Sequence, residues 1–266
     1  MEGVTAPDGT HVAYTRTGHG PPLVLIHGGT SDHTRWDPIL PAFRDHFTVY
    51  AVDRRGHGAS GPTDAASYVM EREFDDIATL VEAIGTTVRI VGHSYGALCA
   101  LRAARRTHQI RTLVLYEPPI LIPPGRVIAS PDTLARMQTL LEQGDREGLV
   151  LTFMREVSRR PEEEIAVMQA KPVWAHRIAS AHTILYEARA VQEYVFDPQR
   201  FHSLATPTLL LLGEHSPPFL RDATGAVAAA LPNSRVTVLP GQRHIAMDTA
   251  PDLFVSHVLP FLLSSN

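Results

Sequence analysis

Gly92-His93-Ser94-Tyr95-Gly96 sits where a short apolar run, Val88-Arg89-Ile90-Val91, gives way to a helical stretch from Ala97 to Arg106. The five residues fit the pattern G-x-S-x-G. A serine on so sharp a strand-to-helix turn is forced into a strained backbone, the flanking glycines leave room for neighbouring chain, and the hydroxyl is presented to substrate. An ordinary glycine-rich turn would carry the same letters, so the reading depends on what surrounds it.

Around that turn, short β-branched and apolar runs alternate with helical patterns: Pro22–Ile26, Phe47–Val52, Val88–Val91, Thr112–Tyr116, Thr208–Leu212 and Arg235–Leu239. Strands of this kind separated by helices predict a parallel sheet covered on both faces. Met70, Phe74, Ile77, Val81 and Ile84 form one helical stripe that Gly85 closes. Glu2–Thr5 and His11–Thr17, joined around Asp8-Gly9, read as a hairpin at the sheet edge. Between Pro118 and Thr206 the strand signal disappears. Helical pieces at Asp132–Gln143, Arg146–Ser158, Glu162–Ala170 and Val173–Val191 replace it, which predicts a helical lid, residues 119–205, inserted into a core made of residues 1–118 and 206–266.

The 266 residues are 44% hydrophobic, enough for one large α/β domain with an inserted subdomain. A formal net charge of −4 offers no basic field, so neither nucleic acid nor an anionic membrane surface is an expected partner. No apolar run reaches the length of a membrane span, and the start, Met1-Glu2-Gly3-Val4, lacks a basic segment followed by an apolar one; a cytoplasmic protein, monomer or homodimer, is expected. The single cysteine, Cys99, excludes an internal disulfide and reads as a buried small hydrophobe.

A serine hydroxyl is a weak nucleophile until a base takes its proton, so Ser94 requires a histidine and an acid to orient that ring. Of fourteen histidines, His244 follows the last strand in the loop Pro240-Gly241-Gln242-Arg243-His244, ahead of a terminal helix, and is the expected base. His27, His57 and His93 read as loop braces. No histidine pair has zinc-ligand spacing, so neither metal nor cofactor is expected. After the strand Pro22–Ile26 comes His27-Gly28-Gly29-Thr30, where the amide of Gly29, with that of Tyr95, would form an oxyanion hole and Thr30 would touch substrate.

In order and spacing, His27-Gly28-Gly29, Asp53-Arg54-Arg55-Gly56-His57-Gly58, Gly92–Gly96 and His244 resemble the α/β-hydrolase superfamily, in its serine-nucleophile branch, over nearly the whole chain. The resemblance implies the α/β-hydrolase fold and acyl chemistry, and Ser94 stands where the family's dehalogenases and epoxide hydrolases have aspartate. The usual acid position departs from the pattern: Gly213-Glu214-His215-Ser216-Pro217 has Ser216 where the family has aspartate. Two glutamates at strand ends remain, Glu214 and Glu117. Glu117 resembles the acid position of zearalenone-type lactonases, which also share the lid segment Pro172-Val173-Trp174-Ala175, and on that resemblance Glu117 is the expected acid. Asp53 reads as a loop anchor.

These readings converge on a serine hydrolase cleaving an ester or lactone of a small hydrophobic substrate, with Trp174 as a lid contact; Trp174 would equally serve as lid packing. A thioesterase, a biosynthetic cyclase and a non-hydrolytic ligand sensor share the same pattern. Gly56-His57-Gly58-Ala59-Ser60-Gly61 reads G-x-G-x-x-G, but Pro62-Thr63-Asp64 prolongs a loop where a dinucleotide site would open a helix at once.

Overall fold

The computed structural model describes residues 1–63, 65–171 and 173–264; Asp64 and Pro172, both quoted above, lie outside the described residues. Eight strands form one sheet: β1 (Glu2–Thr5), β2 (His11–Thr17), β3 (Pro22–Ile26), β4 (Thr48–Val52), β5 (Val88–His93), β6 (Ile110–Tyr116), β7 (Thr208–Gly213) and β8 (Ser234–Leu239). Their spatial order is β1-β2-β4-β3-β5-β6-β7-β8. The β1–β2 and β2–β4 pairs are antiparallel and every other pair is parallel. The N-terminal hairpin therefore forms one edge.

Alternation along the central strands feeds two cores. Val24 and Ile26 of β3 face one side with helix α1 (Met70–Ile84) and helix α2 (Tyr95–Ala103), whereas Leu23 and Leu25 face the other with Trp36, Phe43 and the C-terminal helix residues Phe254 and Val258. Both faces being covered is what permits uninterrupted runs such as Leu209-Leu210-Leu211-Leu212. In α1 the stripe Met70, Phe74, Ile77 and Val81 is buried, and Gly85 ends it in a left-handed conformation at φ 74°. Cys99 is fully buried in α2.

Between β6 and β7 the described residues form no strand, and helices α3 (Pro131–Glu142), α4 (Arg146–Thr152), α5 (Glu162–Gln169), α6 (Val173–Ala179) and α7 (Ile184–Glu193) follow one another. Two segments differ from the periodicity reading. The pattern over 146–158 is not one α-helix: from Phe153 to Val157 the backbone widens into a π turn, with the Ser158 amide donating to the Phe153 carbonyl at 2.9 Å. The pattern over 173–191 is broken after Ala179, where the Thr183 hydroxyl donates to the Ser180 carbonyl at 2.9 Å and so competes with the helical ladder. Both irregularities lie over the carboxyl ends of the parallel strands, where ligands bind on open α/β sheets. Among the described residues no helix is long and apolar enough to cross a membrane.

Candidate active site

Ser94 sits between β5 and α2 at φ 53° and ψ −123°, a backbone conformation that costs of order 1–3 kcal/mol for a non-glycine residue. Close packing on both sides holds it there. The Ser94 amide donates to the Tyr116 carbonyl of β6 at 2.8 Å. A Cβ on Gly96 would collide with the backbone carbonyls of Ile26 and His27, and one on Gly92 with the Gly96 carbonyl and Ala97. Backbone cannot step aside as a side-chain tip can. Gly96→Ala is therefore expected to destabilise the fold by about 3 kcal/mol, read as a lower urea midpoint with unchanged slope.

His244 hangs from the loop after β8, and its Nδ1–H donates to Glu117 Oε2. Glu117, fully buried one residue beyond β6, adopts φ 51°; its Oε1 accepts the Gly213 amide at 2.7 Å. The carboxylate is thus clamped between the ends of two strands and presents one oxygen to the ring. His93 donates from Nε2 to the His244 carbonyl at 2.7 Å, and the Tyr116 hydroxyl donates to the Arg243 carbonyl, so the loop is tied to β5 and β6. Ser94 and His244 line the same cleft with Gly29 and Tyr95. The Ser94 hydroxyl has no hydrogen bond to the ring among the described residues, a contact that commonly tightens only when substrate binds. Tyr95 opens α2, so its amide has no partner within the helix.

Burial pushes the His244 imidazole below its ordinary value of 6.5; hydrogen bonding and charge from Glu117 pull it back up, and Arg160 and Arg35 add to the depression. The buried neighbour His93 is also held down, by burial first. The ring is thereby shifted toward its neutral, proton-accepting form. If it is the base, the acid limb of the kcat/KM profile, which reports the free enzyme, should have its midpoint below 6.5; a midpoint above 6.5 would contradict the assignment.

The other expected positions divide. Glu214 is half-exposed and accepts the Gly241 amide at 2.7 Å, bracing the loop rather than the imidazole. Ser216 is buried with no carboxylate to offer. Thr30, at φ 52°, lines the cleft and accepts from Arg177 Nη1 through both its carbonyl, at 3.2 Å, and its hydroxyl, at 3.3 Å. Trp174, expected as a lid contact or as lid packing, is buried in the apolar cluster that also holds Leu149 and Met168 and donates Nε1–H to Glu147 at 3.0 Å. It packs the insertion. Asp53 accepts from the His33 amide at 2.7 Å, His33 Nδ1 at 2.8 Å and the Ala59 amide at 2.9 Å, which makes it a loop anchor. Asp32 lies within 4.8 Å of that pair, but its oxygens are taken by Thr34 and His176. The 56–61 glycine segment closes on itself through the Gly56 amide and Gly61 carbonyl at 3.0 Å.

Sequence reasoning missed the charged residues around the serine. Arg54 is buried between Glu73, at 2.9 Å, and Glu187, at 2.6 Å, and also donates to His57 Nε2 at 3.0 Å. Burial works against its charge, yet Glu187 and Glu73 hold it well above its usual range. Glu187 comes from α7 and faces Gly29, where a Cβ would lie 2.9 Å from Oε2. One wall of the cleft is apolar, from Ile128, Phe153, Val157, Val191, Phe219 and Leu220. An adjoining pocket, which shares Gly29, Ser94, Phe153, Ser158 and His244 with it, is more polar and carries Arg35, Arg160 and Arg177. No local pattern marks these three, since only folding brings residues 35, 160 and 177 together.

A sequence model of the alpha/beta hydrolase family matches residues 23–257. Among curated proteins, the (E)-2-((N-methylformamido)methylene)succinate hydrolase of Acinetobacter baylyi is 27% identical over 90% of this chain and 89% of its own length. The 2-(acetamidomethylene)succinate hydrolase of Mesorhizobium japonicum is 25% identical over 92% of this chain and 89% of its own. The crystal structure of an alpha/beta hydrolase from Sphaerobacter thermophilus superposes with a TM-score of 0.85 at 35% identity, covering 98% of this chain and all of the other. With the family pattern spanning that much of the sequence, and the sheet order and strand-end residues described above, the chain belongs to the alpha/beta hydrolase family.

Proposed function

We propose that this hydrolase cleaves carboxylic esters or lactones through an acyl-enzyme on Ser94, with His244 as base, Glu117 as the acid that orients it, and the amides of Gly29 and Tyr95 as oxyanion hole. The observation that carries the reading is the buried Glu117 carboxylate on His244 Nδ1, with the ring and Ser94 on one cleft. Nδ1 being the donor leaves Nε2 to accept.

In this scheme Nε2 takes the Ser94 proton as Oγ adds to the carbonyl, and the oxyanion that forms is held by the two amides, each worth about 3 kcal/mol in such sites. Collapse breaks the C–O bond to the leaving oxygen, which receives the proton from Nε2. Water, deprotonated by the same nitrogen, then adds to the acyl carbon; collapse returns the proton to Ser94 and frees the acid. For a lactone, both products remain one ring-opened molecule. Residues 119–205 act as the lid that covers the cleft.

The two curated relatives are named for substrates that carry acylated amines, which supports activated amides as a second leaving-group class for the same chemistry. The test is a panel of aryl esters, acyl thioesters, activated amides and macrocyclic lactones, combined with a fluorophosphonate probe and peptide mapping. Turnover of esters or lactones with a single adduct on Ser94 is the expected result. An adduct elsewhere, or tight binding of panel compounds without turnover, would overturn the reading.

A further inference from the structure

Arg177 is 3% exposed, and its Nε and Nη2, which form one edge of the planar guanidinium, have no hydrogen-bond partner among the described residues. Among the described residues its polar contacts are from Nη1 to the neutral oxygens of Thr30. The neighbouring cations do not relieve it. Arg35 is paired to Asp248 at 2.5 Å, with its own Nε unpartnered among the described residues, and Arg160 reaches Glu164 at 3.4 Å. Glu164 is further shared with Arg243 at 3.8 Å, and Asp32, the next carboxylate, is held by Thr34 and His176. Among the described residues two carboxylates thus answer the three guanidiniums that line this pocket, and Arg177 is the one without a carboxylate partner.

A buried guanidinium keeps its charge, so leaving it unpaired is costly unless a ligand supplies the counter-charge. Burial, Arg35 and Arg160 all push against that charge at Arg177. Two N–H groups on one edge match the two oxygens of a carboxylate in a side-on fork. The same pocket is lined by Ser94 and His244, so an anion seated on Arg177 belongs to the molecule being cleaved.

We infer that the substrate is an acid: an acyl compound with a free carboxylate a few atoms from the scissile carbonyl, the carboxylate on the Nε/Nη2 edge of Arg177 and the uncharged remainder against the apolar wall. This deepens the acyl-enzyme reading and rests on it. It also adds a charge to the hydrophobic substrate expected from the sequence, because the apolar pocket beside Ser94 adjoins a polar one that carries the arginines.

The experiment compares acids with their methyl-capped twins. 4-Nitrophenyl hydrogen succinate against 4-nitrophenyl methyl succinate places the charge on the acyl arm; 4-acetoxybenzoate against methyl 4-acetoxybenzoate places it on the leaving arm. In one pair kcat/KM should favour the acid by about 100-fold or more, since a site built to hydrogen-bond a group rejects the analogue lacking it. Arg177→Met should bring that ratio to within about threefold of one, and Arg177→Lys, which keeps the charge but not the fork, to an intermediate value. Ratios under about threefold in both pairs, or a ratio unchanged in Arg177→Met, overturn the inference. Binding is read separately: sodium succinate should raise the Tm of the wild type, but not of Arg177→Met, above sodium chloride at matched ionic strength. Equal Tm values with the two salts in the wild type count against the anion site, whatever the turnover. Loss of all turnover with the succinate shift retained, or turnover that survives Ser94→Ala, strikes the acyl-enzyme reading instead.

Discussion

Ser94→Ala is expected to lower kcat by about 10⁵-fold or more on the best panel substrate, with the fold intact. Alanine removes the only atom that forms the acyl bond and changes nothing that positions it. The turn at φ 53° is imposed by the Tyr116 carbonyl, which accepts the residue 94 amide, and by the backbone packed against Gly92 and Gly96. None of those contacts uses the hydroxyl. Stability in urea should therefore stay within about 1 kcal/mol of the parent, so that lost activity cannot be ascribed to unfolding. Rates measured by stopped assay and a denaturation curve on the same preparation decide it; a variant retaining a tenth of the activity would remove Ser94 from the mechanism.

Glu117→Gln should cost about 10⁴-fold in kcat, whereas Glu214→Gln should change it by no more than about threefold. The first substitution keeps shape and one acceptor: a glutamine at 117 can still take the Gly213 amide through its carbonyl oxygen. Its NH2 group then faces His244 Nδ1. That nitrogen must become the acceptor, which moves the ring proton to Nε2 and leaves no lone pair for the serine hydroxyl. Glu214 accepts the Gly241 amide, lies 3.9 Å from the exposed His215 ring and is half-exposed, so an amide there serves almost as well. Steady-state kinetics on the two variants separate them, and a large loss with Glu214→Gln alone would reverse the assignment.

The central strands were legible because they are buried on both faces, and a run such as Pro22–Ile26 has little solvent side to interrupt it with polar residues. Helix α1 was legible for the complementary reason, its stripe having one dry face. The insertion was read less well. Its helices are set by packing on one another, so a π turn at 153–157 and a break at Ser180 leave no trace in the spacing of apolar residues. Trp174 shows the same ambiguity at a single residue: an aromatic ring at helical spacing reads alike whether it faces a ligand or, as here, is buried with its Nε1–H on Glu147.

By itself the chain determined the order of strands and helices, the strained turn at Ser94 and the loop that carries His244, because each depends on neighbours within a few residues or on the period of burial. Setting the Glu117 carboxylate against the imidazole, which the sequence favoured over Glu214 only through a resemblance, and gathering Arg35, Arg160 and Arg177 around one pocket belonged to the tertiary structure. Distance between charges decides both, and residues far apart in sequence acquire a mutual distance only when the sheet and its insertion have closed.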